Sequence, residues 1–321
     1  MSTRPASEAP DERLRAELRQ ALRTGPFSAA LHLAIEASGR TLDEIQIWLA
    51  ERDARVSVPT LSYWRRGRSR PERPGSLRAV HLLEQLLEVP DDSLMALLGP
   101  RRPRGRWIGH TPGSLDFGKL FDDSRPLDLL NVVGAPARGA LSRIITEVTI
   151  TVDGDRRTTS IHMRELVRAN VDRVSRCGAL YLADEQPRNP PTLGGVRYCR
   201  VGRVKMDRSV GLVAAELILD RVLDAGDRAL VEWDWQFSPG MRMTNYEYRF
   251  SEPTREYILQ VRFSPDAVPA QCHRYDRRTA TSAEGNDREL WIGGSNTALL
   301  SESDVPAGIV GMRWEWPEIA G

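Results

Sequence analysis

Lysine is almost missing from this chain. Its 321 residues hold lysine only at 119 and 205, so arginine supplies nearly all of the 45 basic side chains. Such a bias accompanies GC-rich genomes, and arginine abundance alone therefore assigns no function. Cysteine is scarce too: Cys177, Cys199 and Cys272 are scattered, with no CxxC spacing. That excludes a paired-cysteine zinc pattern and a disulfide framework, and it predicts a reducing, cytoplasmic setting. No early apolar run resembles a signal peptide, and none is long enough to cross a bilayer, so no membrane partner is expected. The phosphate-cradling GxxxxGK[ST], HExxH and GxSxG patterns are all absent. Cys272 and His273 are adjacent, but neighbours on a strand point to opposite faces, which makes a shared metal ion a poor reading. These absences predict no enzyme, no metal and no cofactor.

Charge is present and unevenly placed. The net charge is +1, so the whole chain is not a basic nucleic-acid coat. Between Arg55 and Arg78, however, stand seven arginines (55, 65, 66, 68, 70, 73, 78) and one acid, Glu72. Such a local cluster is the electrostatic footprint of a nucleic-acid contact, or else a solvated basic surface.

The cluster overlaps the most informative stretch, Thr41 to Pro71. Thr41 and Glu44 have capping-box spacing, and Gly39 sits where an earlier helix would stop. Leu42, Ile45 and Leu49 then keep a helical period. The chain turns through Arg52 to Arg55. Ser57 can cap a second helix, with Pro59 tolerated in its first turn. Leu61 and Trp64 form the buried stripe of that helix, while Val58, Thr60 and Tyr63 are left on or near the other face. Gly67 ends it and Pro71 prevents resumption.

The run Val56-Ser57-Val58-Pro59-Thr60-Leu61-Ser62-Tyr63-Trp64-Arg65-Arg66-Gly67 resembles the recognition helix of the Cro/phage-repressor (XRE) helix-turn-helix family. The resemblance covers roughly residues 26–99. One departure is the connection between the two helices, about five residues longer than the short turn usual in that family. The resemblance implies a second helix lying in the DNA major groove. Val58, Pro59, Thr60 and Tyr63 would then meet base edges. Ser57, Arg65, Arg66, Arg68 and Arg70 would meet phosphates, positioning without specifying. A plain helical assembly bundle is the competing reading.

Around this stretch the chain divides by composition. Residues 1–24 read as an extension with one amphipathic helix whose seam is Leu14, Leu18 and Leu22. It packs in cis or on a twin. Residues 25–99 read as five short helices around one small core. Residues 100–115 are a linker rich in Pro and Arg; Arg101, Arg102 and Arg104 suit an arm on phosphates or in the minor groove, or a solvated connection.

Residues 116–321 read as a β-rich regulatory and dimerisation domain; 113–139 has no clear period, and after it the period shifts to two. Alternating Ile144, Thr146, Val148, Ile150 and Val152, then Asp153-Gly154-Asp155, predict a hairpin. Further strands are expected at 177–183, 196–206, 212–222, 228–237, 244–250, 255–263, 268–275 and 305–316. Asp224-Ala225-Gly226-Asp227 is expected to join 212–222 and 228–237 as a second hairpin. Trp233 with Trp235, and Trp314 with Trp316, each share a face of their strand. They form a core, or they wall a pocket for a small effector.

The predicted fold class is multidomain α + β. An N-terminal all-α helix-turn-helix bundle precedes an antiparallel β-sandwich-like domain. The predicted function is a sequence-specific DNA-binding transcriptional regulator. Its partners are double-stranded DNA, a second copy of itself in a homodimer, and a small-molecule or protein effector at the β domain. The rivals are a protein–protein adaptor, antitoxin-like or a sigma-factor partner, and an enzyme with a DNA-targeting head.

Overall fold

The computed structural model describes residues 8–99, 113–183 and 190–317. Helices gather toward the N-terminus and strands toward the C-terminus, so the chain is mixed α + β. Contacts divide it into two units. One holds residues 8–99 with the short segments 172–176 and 221–224, and the other holds the remaining described residues. No helix among the described residues is long and apolar enough to cross a membrane. The linker arginines Arg101, Arg102 and Arg104 lie outside the described residues.

In the first unit α1 (Glu8–Thr24) ends where Gly25 and Pro26 interrupt it, and α2 (Phe27–Ser38) follows. The seam of α1 closes in cis: Ala21 and Leu22 are buried, and Leu18 partly so, in one core with Leu31, Ile45, Leu61 and Leu83. Gly39, in the left-handed region, caps α2. The predicted capping box forms at α3 (Leu42–Ala50): the Thr41 hydroxyl accepts from the Glu44 amide, and the Glu44 carboxylate accepts from the Thr41 amide at 2.7 Å. Asp53 then adopts a left-handed conformation, with Ala54 N–H bonded to the Leu49 carbonyl. The connection from 51 to 57 is anchored by buried Ala54 and Val56, which is why a long link can still be ordered.

Ser57 caps α4 (Val58–Arg65), and Pro59 occupies its first turn. Gly67 closes α4 in the left-handed region. Arg68 N–H reaches the Tyr63 carbonyl and Gly67 N–H the Trp64 carbonyl, the paired bonds of a Schellman end. Next come α5 (Pro74–Leu86) and α6 (Ser93–Leu98). Asp91 and Asp92 stand where a cap for α6 is expected from the sequence, but the capping is done by another residue. Asp92 makes no side-chain cap, and the carboxylate of buried Glu84 on α5 accepts from the amides of Asp92, Leu94 and Met95 instead. Asp92 itself is left-handed, so its side chain is turned away from the amides it would have capped.

The stretch 113–139, without a clear sequence period, forms two short helices, α7 (Phe117–Phe121) and α8 (Arg125–Val133). The expected first hairpin forms: β1 (Leu141–Val152) pairs with β2 (Thr158–Ala169), antiparallel, with Val148 opposite Met163. The remaining strands are β3 (Val174–Leu182), β4 (Thr192–Arg197), β5 (Cys199–Asp207), β6 (Leu212–Leu223), β7 (Arg228–Gln236), β8 (Asn245–Phe250), β9 (Thr254–Phe263), β10 (Gln271–Arg277), β11 (Gly285–Glu289), β12 (Thr297–Val305) and β13 (Gly308–Glu315). They form sheets in the orders β12-β9-β1-β2-β7-β4, β11-β10-β13-β8 and β3-β6-β5.

Three expectations are corrected. The pair β6 and β7 is no hairpin, because the two strands lie in different sheets. Strand β6 is buried continuously from Leu212 to Leu219 and needs cover on both faces. The turn after it bonds the end of β2 instead, through Gly226 N–H to the Ala169 carbonyl and Ala169 N–H to the Asp227 carbonyl. Pairing is not wholly antiparallel, since β1 and β9 run parallel with Val148 opposite Leu259. The long stretch between them allows the chain to return in the same direction. Finally, 305–316 is two strands broken at residues 306–307, and 196–206 breaks at Tyr198, which has a positive φ of 59°.

Candidate nucleic-acid interface and interior cavity

The two faces of α4 divide as its spacing predicts. Leu61 is 0 % and Trp64 2 % exposed, whereas Tyr63 is 47 % exposed. Pro59 is exposed, and Val58 and Thr60 are half-buried. The Thr60 and Ser57 hydroxyls are 2.9 Å apart, and the Thr60 amide donates to Ser57 Oγ. Ser57 is therefore engaged as a cap, and the Thr60 hydroxyl is held by Ser57.

The arginines differ from one another. Arg66, Arg68 and Arg73 are exposed and Arg65 half-buried. None of these four side chains makes a hydrogen bond or ion pair among the described residues. Arg70 is different: its guanidinium donates to the Leu98 carbonyl. Arg52 stacks over Trp48 at 3.7 Å, and Arg78 donates to the Arg52 carbonyl. Exposed Arg55 precedes α4, the other open cations gather at and beyond its C-terminal end, and Arg52, Arg70 and Arg78 are committed to the fold.

The tryptophans do not act as one set. Trp233, Trp235 and Trp314 are buried, and Trp316 is half-buried. Trp314 and Trp316 pack edge-on against Phe263, at 5.8 and 5.9 Å. Trp233 and Trp235 instead border a cavity of about 330 Å³ within the strand-rich unit, which Trp314 and Trp316 do not reach. Three of the four are buried, as the core reading expects, and the alternative of a pocket walled by all four narrows to a cavity bordered by two of them. Glu232, next to Trp233 and so on the opposite face of the strand, is buried as well and pairs with Arg164 at 2.9 Å.

The chemistry of that cavity comes from residues not singled out in the sequence. Glu165 is 1 % exposed and accepts Arg143 Nε on both oxygens at 2.9 Å. The Tyr248 hydroxyl donates to Glu165 at 2.6 Å, and the Tyr246 hydroxyl meets Met163 Sδ at 3.7 Å. The Glu165 charge, first of all, raises the Arg143 pKa, so the guanidinium stays cationic. Burial holds the Tyr248 and Tyr246 phenols above their ordinary value. A signal was available. Glu165 is in phase with apolar Ile161, Met163 and Val167, and a carboxylate at an inward position needs a partner. The three thiols are buried. Burial raises their pKa values, to about 12 for Cys199 and Cys272, so they are poor nucleophiles.

No protein-family model matches the sequence, and no curated protein matches it. Among solved structures the chain is similar to a candidate protease from Parabacteroides distasonis. The identity is 11 % and the TM-score 0.37, over 56 % of this chain and 41 % of that one. It is also similar to an M1 zinc metallopeptidase from Deinococcus radiodurans, at 14 % identity and a TM-score of 0.29, over 55 % and 43 %. The chain thus covers less than half of either protein. These neighbours are peptidases, which overturns the expectation of a chain that is no enzyme, and that expectation is not kept. At such scores the likeness assigns no activity either. The His/acid cluster found among the described residues is His81, Glu84 and Asp92, where Glu84 is already occupied in capping α6.

Proposed function

We propose that this protein is a sequence-specific, DNA-binding transcriptional regulator of the cytoplasm. In this reading α3 and α4 form a helix-turn-helix within a small helical bundle, and the strand-rich, sandwich-like domain serves dimerisation and sensing. The observation that carries it is the set of Arg65, Arg66, Arg68 and Arg73. They cluster at and beyond the end of α4, on the same unit as exposed Tyr63, with no protein partner among the described residues. Internal ion pairs would have neutralised such a cluster in a purely structural role. Left open, it suits a polyanion whose phosphates release counterions on binding. Val58, Pro59, Thr60 and Tyr63 supply base contacts in this reading, with Thr60 exchanging its bond to Ser57 for one to a base edge. Arg65, Arg66 and Arg68 supply phosphate contacts, and Arg70 joins them only by releasing Leu98.

Selection of random duplex fragments by the purified full chain tests the reading. An enriched motif, protected in footprinting and lost when Arg66 and Arg68 are both changed to Gln, is the expected result. No enrichment, with weak binding indifferent to those substitutions, sinks it.

A further inference from the structure

The cavity beside Trp233 and Trp235 has a charge character that decides what it can hold. Its volume of about 330 Å³ lies at the low end of small-molecule pockets, roughly 300–1,000 Å³. Leu130, Leu141, Phe121 and Tyr246 supply apolar wall. Four arginines and three glutamates line it, but the two signs are unequally exposed. Glu165 has 1 % of its side chain accessible and already accepts from Arg143 and Tyr248, whereas Arg143 has 36 % accessible. Arg143 Nε is used by Glu165, and Nη2 reaches the Gly178 carbonyl at 3.4 Å. That leaves Nη1 without an acceptor among the described residues. Exposed Arg242 also lines the cavity and has no partner among the described residues. The Glu247 side chain is likewise buried, paired with Arg249 and Arg277, and Glu252 is half-buried, so the charge a ligand meets is cationic on balance, with Glu165 hidden behind Arg143.

We propose that this cavity binds a small monocarboxylic acid with an aromatic or branched apolar body. Its carboxylate accepts from Arg143, and its body lies against Leu130, Leu141 and Tyr246. Nη1 offers that carboxylate a charge-assisted hydrogen bond from a permanently cationic group. The fixed Glu165 and Tyr248 contacts hold the guanidinium in place beforehand, which lowers the ordering cost of binding.

Calorimetric titration of the full chain with phenylacetate and indole-3-acetate tests this, with phenylacetamide and indole-3-acetamide as near-isosteric neutral controls. The acids are expected to bind at least about tenfold tighter than their amides, equivalent to about 1.4 kcal/mol. Removing Arg143 alone would strand Glu165, so the paired change Arg143→Gln with Glu165→Gln is used. It should abolish the preference for acid over amide. Should that variant not fold, Leu130→Trp fills the cavity while leaving Arg143 in place, and it should remove acid binding. The proposal is overturned if neither acid binds by about 10 mM. It is also overturned if amides or phenethylamine bind as well as the acids, or if Leu130→Trp leaves acid binding unchanged. The titration reads the cavity directly, so its outcome is separate from that of the fragment selection.

Discussion

At the scale of the residue, Tyr63 and Trp64 are neighbours with opposite tasks. Tyr63→Ala or Thr60→Ala should cost about 1–3 kcal/mol of discrimination at one or two base pairs, with the fold intact because neither belongs to the core. Binding to a panel of single-base operator variants reads this. Unfolding of either variant, or an unchanged preference, would reassign the face. Trp64→Ala removes a side chain that is 2 % exposed and should lose roughly 3–5 kcal/mol in denaturant unfolding. Arg66→Gln and Arg68→Gln should each weaken binding to all sequences alike and flatten the log–log salt slope by about 0.9. A loss confined to one sequence, with the slope kept, would place that arginine on a base. Arg70→Gln should change the slope less, because its guanidinium is already spent on Leu98.

At the scale of the element, two glutamates at helix N-termini respond to pH in opposite senses. The Thr41 amide, then the Thr41 hydroxyl, lower the pKa of Glu44 below its ordinary 4.5. Its contribution to stability is thus present above about that value and is lost as pH falls through the depressed one. Glu84 is the reverse. Burial raises its pKa, and the amides of Met95, Leu94 and Asp92 only partly counter this. The folded state holds that proton more tightly than the unfolded chain, so the Glu84 contribution falls as pH rises from 4.5 through the raised value. Glu84→Gln, which cannot ionise, should therefore flatten the fall in stability with rising pH just above 4.5, measured as the denaturant midpoint across pH 4–7. An unchanged profile would contradict it. Glu84→Ala leaves three amides of α6 without their acceptor and should cost about 1–3 kcal/mol. A cost within experimental error would mean that water replaces the carboxylate.

At the scale of the whole molecule, the helical unit does not end where the helices do. Residues 172–176 and 221–224 belong to it. The Ser175 hydroxyl donates to the Ala96 carbonyl at 2.7 Å, and Val222 packs on the helical core. A chain truncated after Gly99 loses both. It should melt several degrees below the helical transition of the full chain in calorimetry. Equal melting temperatures would show the two segments to be dispensable. If the full chain is the proposed dimer, sedimentation should give twice the chain mass, and selected operators should carry paired half-sites about 10 bp apart or a multiple. A monomer on a single unpaired site would remove dimerisation from the reading.

The sequence by itself determined whatever is local. The Thr41 capping box, the Ser57 cap, the Gly67 stop and the inward pair Leu61 and Trp64 follow from spacing within one or two turns, and the β1–β2 hairpin follows from alternation around Asp153-Gly154-Asp155. The face of α4 that carries the candidate interface was legible for the same reason. Beyond that hairpin, tertiary structure alone decided which strands are neighbours. Asp224 to Asp227 looks like a hairpin turn, but burial of β6 on both faces separated it from β7. Partner choice was equally hidden. Glu84 took the capping task from Asp92, and Glu165, Arg143 and Tyr248 met from three separate strands. A buried carboxylate announces in sequence that it needs a partner. Which partner it finds is set by the packing of elements far apart in the chain, where no local period records it.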